Sequence, residues 1–134
     1  MLHHISFGIR DLQRSASFYD ATLATLGHVR VWAHRNGVGY GHPGSDDKLV
    51  IKLQSVESVA PGPGFHLALA APSREAVSLI HAAALRAGGK DNGAPGLRPV
   101  YGENYYAAFV IDPDGYRIEA VICGDPSTRE GQSG

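Results

Sequence analysis

The stretch GFHLALAAPS, residues 64–73, restates LHHISFGIRD, residues 2–11, at a constant offset of 62. Each begins as an alternating strand. Leu2, His4, Ser6 and Gly8 share one face of the first, and His3, Ile5, Phe7 and Ile9 share the other. Each then meets a residue that caps helices, Asp11 or Ser73. Behind Asp11 a helix is predicted over 12–26, because Leu12, Ala16, Tyr19, Leu23 and Leu26 step by threes and fours into one apolar stripe. Behind Ser73 a second helix is predicted over 74–87. Gly27 and Gly88-Gly89 are the stops. The offset carries His4 onto His66, Asp11 onto Ser73, Leu23 onto Leu85 and Gly27 onto Gly89. Self-similarity at that spacing is a duplicated structural unit.

The rest of each half follows. VRVWAH (29–34), GVGYGH (37–42) and KLVIKL (48–53) read as strands, with Arg35-Asn36-Gly37 turning the first hairpin. In the second half a Gly/Pro-rich loop spans 93–99. YYAAFVI (105–111) and YRIEAVI (116–122) then flank the turn Asp112-Pro113-Asp114-Gly115. The organisation is α+β: two βαβββ modules, 1–60 and 64–123, in one domain over 1–124, with a polar tail at 125–134. PGPG at 61–64 punctuates the join.

With 134 residues, 43% apolar and 19% charged, the chain suits a folded domain and not a disordered one. A net charge of −1 gives no footprint for nucleic acid or an anionic membrane. No apolar run is long enough to cross a bilayer, and MLHHISFGIRD lacks the build of a secretory signal. The lone Cys123 excludes an intrachain disulfide and any multi-cysteine zinc cluster. A cytoplasmic protein is the expectation.

Glu119 sits inside an otherwise apolar strand, so it either faces water or is held by a partner, since an unpaired buried charge is expensive. Laying Ile51-Lys52-Leu53 over Ile118-Glu119-Ala120 makes Lys52 its counterpart. If a pseudo-twofold axis relates the modules, His4 pairs with His66 and Lys52 with Glu119 around a shared cup. Two neutral imidazoles and a carboxylate suit a divalent transition metal, Zn, Ni, Mn, Fe or Co, with positions left open for substrate. Taken alone, His4 also reads as a strand histidine bonded to a neighbour. His3 on the opposite face is read as structural, His81 as helix packing, and His34, His42, Arg98 and Arg117 as surface groups. Tyr101, Asn104, Tyr105 and Tyr106 precede or open a cup-forming strand; Tyr101, Asn104 and Tyr106 are the candidate substrate contacts.

The paired βαβββ modules, the HHI opening with its FYDATL helix, the FHLAL strand and the closing DPDGYRIEAV resemble the vicinal oxygen chelate superfamily. That group includes glyoxalase I, fosfomycin and bleomycin resistance proteins, and extradiol dioxygenases. The resemblance implies a curled mixed-sheet cup with the helices outside and a homodimer. It also implies a small-molecule enzyme, of lyase, dioxygenase or transferase type, whose metal is bound by His4, His66 and Glu119 and chelates neighbouring substrate oxygens. Glu119 and Lys52 are the candidate catalytic residues. Glyoxalase I carries a metal-ligating glutamate where this chain has Lys52, and a protonated lysine offers no acceptor. Such a lysine must turn away from a metal, lose its proton or bind an anionic substrate. Two rival readings stand beside the enzyme: metal-free sequestration of an antibiotic, and a lactoylglutathione lyase that tolerates Lys52.

Overall fold

The computed structural model describes residues 1–124. The tail expected at 125–134 lies outside the described residues. In chain order the elements are β1 (Ile5–Ile9), α1 (Leu12–Ala24), β2 (Val29–His34), β3 (Gly37–Gly41) and β4 (Leu49–Leu53), followed by β5 (Leu67–Ala70), α2 (Arg74–Arg86), β6 (Lys90–Leu97), β7 (Tyr106–Ile111) and β8 (Arg117–Ile122). They form two mixed sheets of identical topology, β1-β4-β3-β2 and β5-β8-β7-β6, each with one parallel pair, β1–β4 or β5–β8. The duplication is therefore structural: two βαβββ modules whose sheets stay open.

The helices start where their caps predict. The Asp11 carboxylate accepts the Arg14 amide at 3.0 Å, and the Ser73 hydroxyl accepts the Ala76 amide at 3.0 Å. Each cap satisfies an amide that the first helical turn leaves without a partner. Both helices run 13 residues. Both strands that precede them begin one residue after the repeated histidines, so His4 and His66 sit just outside the ladders.

One expectation fails. The Gly/Pro-rich stretch read as a loop over 93–99 belongs mostly to β6. It is the edge strand, with register shifts at Asp91/Gly93 and Gly93/Gly96. A sheet edge tolerates proline and glycine because one side of the strand needs no ladder bonds. Gly93, at φ +151°, is also a position where a Cβ would lie 2.9 Å from the Phe109 ring.

The modules are fastened to each other through one core. Phe7, Tyr19, Phe65 and Tyr116 bring residues of both halves together, with Phe7 and Tyr116 ring centroids 4.8 Å apart. α1 also packs on α2. Over that core lies the Asp112–Gly115 turn, whose acids are buried, at 3% and 5% exposure. Asp112 accepts the amides of Asp114 and Tyr116, both at 2.9 Å, which shapes the turn. Asp114 reaches back to the first module, accepting from the Arg10 amide at 3.0 Å, the Arg14 guanidinium at 3.1 Å and the Ser15 hydroxyl at 2.8 Å.

Each sheet thus has a core face and an uncovered face. In the first sheet Phe7, Ile9, Val38, Tyr40, Leu49 and Ile51 point into the core. Ladder partners share a face, so Trp32, Gly39, Val50 and Ser6 line one row of the other side, and His34, Gly37, Lys52 and Gly8 the next. β3, GVGYG, offers only glycines to that side, and the Trp32 indole lies directly on Gly39, where a Cβ would meet its ring nitrogen at 2.2 Å. No helix among the described residues is long and apolar enough to cross a membrane.

Candidate functional site

The parallel pair β5–β8 answers the question posed by Glu119. Its ladder partners are Ala68 on β5 and Phe109 on β7. His66 lies two residues before Ala68 on the same chain segment and reaches the carboxylate. His66 Nε2 and Glu119 Oε1 are 2.6 Å apart, and the Tyr105 hydroxyl donates to Oε2. Glu119 is buried, with 5% of its side chain exposed, while 45% of the His66 side chain meets solvent. The carboxylate is therefore held by partners, and the imidazole is the accessible half of the pair. Burial, followed by the hydrogen bond to Glu119 and its charge, pushes the Tyr105 hydroxyl well above the usual tyrosine range, so it stays a donor at neutral pH. The Phe109 ring, 6.1 Å from that of His66 and capped by the Arg98 guanidinium at 5.3 Å, forms the adjoining wall.

Other expected participants lie elsewhere. His4 does not join His66 and Glu119 within one chain. Among the described residues, the only three metal-binding side chains whose donor atoms lie within 4.8 Å of one another are His3, His4 and Asp47. The reason is topological. β1 and β5 are edge strands of separate sheets that share no ladder, so their leading histidines sit at two different edges. A cleft of about 360 Å³ opens there, with His4 and Ile5 on one wall and Leu67–Ala70 on the other.

Lys52 stands opposite Gly8, four residues past His4, whereas Glu119 stands opposite Ala68, two past His66. By register the residue placed like Glu119 is Val50, so the sequence overlay with Lys52 is out by two. Lys52 is exposed on the uncovered face and lines a groove of about 350 Å³ with Trp32, His34, Asn36 and Gln54.

Tyr106 also departs from expectation. It pairs with Ile122 and packs with the α2 cluster under the Arg74 guanidinium, on the face opposite Glu119. Strand alternation decides this: 105, 107 and 109 share the Glu119 face, and 106 does not. Tyr105, read from the sequence only as opening this strand, is the tyrosine that meets Glu119, and the same alternation counted back from Phe109 identifies it. Tyr101 is 65% exposed with its ring 5.3 Å from that of Tyr105, and Asn104 is half-buried in the preceding turn.

With this geometry in view, comparison with known proteins is direct. The family model of the Glyoxalase/Bleomycin resistance protein/Dioxygenase superfamily matches residues 1–120. The chain belongs to that superfamily. A glyoxalase/bleomycin resistance protein from Albidiferax ferrireducens is 32% identical, covering 92% of this chain and 98% of its own, with a TM-score of 0.76. Two more distant structures share the fold. A glyoxalase-related enzyme from Fulvimarina pelagi is 23% identical over 90% of this chain and 86% of its own, TM-score 0.69. The fosfomycin resistance protein FosX from Mesorhizobium loti is 18% identical over 97% of both chains, TM-score 0.66. No curated protein matches. Members of the superfamily generally bind divalent metals and small-molecule substrates.

Proposed function

We propose that this superfamily member is a metal-dependent enzyme acting on a small molecule with two adjacent oxygen atoms, of lyase, dioxygenase or transferase type. The observation that carries it is the 2.6 Å approach of His66 Nε2 to Glu119 Oε1, an imidazole and a carboxylate aimed at one point on the uncovered sheet face. Two donors are one short of the three protein ligands that catalytic sites use. The missing donor is His4 of a second copy, so the functional unit is a cytoplasmic homodimer whose sites lie between subunits. Zn, Ni, Mn, Fe or Co suits such a donor set. When bound, the cation supplies Lewis acidity.

The chain's own groups do the rest. Tyr105 fixes the Glu119 carboxylate and keeps its second oxygen occupied. His66 presents the solvent-facing edge of the pair. Lys52, as a cation on an uncovered sheet face, binds an anionic group of the substrate, and Tyr101 and Asn104 lie close enough to Tyr105 to border the same site. Nucleic acid and membranes are not among its partners.

The test is complementation. A His4→Ala chain retains His66 and Glu119, and a Glu119→Gln chain retains His4. Each homodimer is expected to lose the composite cobalt(II) site, and mixing the two restores one site per heterodimer. A mixture that binds no more cobalt than its components overturns the shared site.

The stacked Trp32 and His34 rings, 5.1 Å apart on a glycine floor, favour a second reading, metal-free sequestration of a flat antibiotic. Purification without chelator or a His-tag separates the two: about one transition metal per subunit supports the enzyme, and none supports sequestration. Turnover of the methylglyoxal–glutathione adduct with added nickel or zinc tests the lactoylglutathione lyase reading that Lys52 argues against.

A further inference from the structure

We propose that Arg98 is a specificity-determining residue that binds an oxyanion of the substrate, a carboxylate or a phosphonate, beside the His66–Glu119 pair. Assigning that oxyanion to the substrate rests on the reading of the pair as part of the metal site. Read from sequence as a surface group, Arg98 is half-buried in the structure. β6 and β7 pair Leu97 with Tyr106, and the Arg98 amide donates to the Tyr105 carbonyl at 2.8 Å. Arg98 therefore stands opposite Tyr105 and shares its face, which is that of Glu119.

The guanidinium turns back along the edge strand. Arg98 Nη2 donates to the Ala94 carbonyl at 2.6 Å, and Nη1 reaches the Leu97 carbonyl at 3.4 Å. The group lies 5.3 Å from the centre of the Phe109 ring. Glycines keep that path open. A Cβ at Gly96 would stand 3.0 Å from Nη1, and one at Gly93 would stand 3.3 Å from Nη2. Phe109 is the ladder partner of Glu119, and its ring centre is 6.1 Å from that of His66. One phenyl ring thus separates the guanidinium from the imidazole.

Two neutral carbonyls leave this cation without a counter-charge. No ion pair among the described residues includes Arg98, whereas Arg10, Arg14 and Arg30 each meet an aspartate. Its remaining N–H donors have no acceptor among the described residues. Half-buried against an apolar ring, the charge is screened less than a fully solvated one, which strengthens its attraction for an anion. The rigid planar fork matches the paired oxygens of a carboxylate or phosphonate. A substrate whose neighbouring oxygens face His66 and Glu119 presents its charged group across Phe109. Lys52 lies on the other sheet, so the two cations approach the substrate from different walls.

The experiment titrates isotope-labelled, untagged full-length protein with acetate and with methylphosphonate at constant ionic strength and neutral pH. Nuclear magnetic resonance follows the Arg98 Nε–Hε and Phe109 amide signals. Both are expected to shift saturably with one dissociation constant, and the tighter anion names the class. In Arg98→Gln the affinity read at Phe109 falls about ten-fold or more, the scale of a lost hydrogen bond to a charge. Gly96→Ala, which retains the charge but crowds its seat, weakens binding several-fold. Arg117→Gln removes an equal charge from the same face and is expected to leave the affinity unchanged. Shifts that do not saturate, an affinity indifferent to Arg98→Gln, or an equal loss in Arg117→Gln overturn the proposal. Cobalt(II) binding is the separate readout. Arg98 is not a ligand, so Arg98→Gln is expected to bind cobalt as the unaltered protein does. Anion binding without a cobalt site would overturn the metal reading alone, and a cobalt site without anion binding would overturn the role of Arg98 alone.

Discussion

The Tyr19 hydroxyl donates to Asp112 Oδ2 at 2.5 Å, joining a helix of the first module to the turn that launches the last strand of the second. Both groups are buried. The turn that opens the DPDGYRIEAV motif is thus a fastening between modules, with Arg10, Arg14 and Ser15 on its other acid.

Tyr19→Phe removes one donor and strands a buried carboxylate oxygen, which is expected to cost about 1–3 kcal/mol. Urea unfolding at neutral pH measures it. The same variant alters the alkaline limb. Burial, then the Asp112 charge, raises Tyr19 well above the usual tyrosine range. Above a pH of about 10 the unfolded chain releases that proton while the fold retains it. The unfolded state then binds fewer protons, and stability falls by about 1.4 kcal/mol per pH unit for this group. In Tyr19→Phe the decline between pH 10 and 11, where the unfolded tyrosine is only partly ionised, is expected to be shallower by about 1 kcal/mol.

Asp114→Ala leaves two guanidinium groups without the acid they share. The Asp114 side chain is fully buried, whereas those of Arg10 and Arg14 are 30% and 46% exposed and regain water. The loss is therefore expected near the lower end of the range for a broken buried pair, about 3 kcal/mol, seen as a lower denaturant midpoint with an unchanged slope.

Tyr105→Phe tests the support given to Glu119. Losing an outer partner of a ligand is expected to weaken cobalt binding at the composite site by about 10–100-fold. Tyr106→Phe, on the opposite face, is expected to leave it unchanged. Equal effects from the two substitutions would contradict the strand faces described above.

Gly39→Ala places a methyl where the Trp32 ring nitrogen lies, 2.2 Å away. The indole must lift from the sheet and lose its bond to Asp47. A red-shifted Trp32 emission and a stability loss of about 1–3 kcal/mol are expected, the usual cost of forcing volume into a packed contact.

Much of this protein was legible as sequence because the information is local and repeated. The caps Asp11 and Ser73, the apolar stripes between them and the helix stops, and the alternation around Glu119 each report a backbone period, and the offset of 62 ties them into two βαβββ units. What escaped was edge and register. Gly93, Pro95 and Gly96 read as a loop because composition cannot tell an edge strand from a connection. Overlaying Lys52 on Glu119 matched residue types, while hydrogen-bond register, set by where each ladder begins, put Val50 there instead. Likewise alternation puts His3 on the face away from His4 only if it is extended past Ile5, where the ladder stops.

The chain's order of residues by itself determined the modules, their helices and the presence of an acid that needs a partner. Only the tertiary structure decided which partner that acid has, His66 and Tyr105, and which histidine keeps company with His3 and Asp47. The physical reason is that secondary structure follows short-range periodicity, whereas donors meet through pairing between strands distant in sequence, where a shift of one residue moves a side chain to the opposite face.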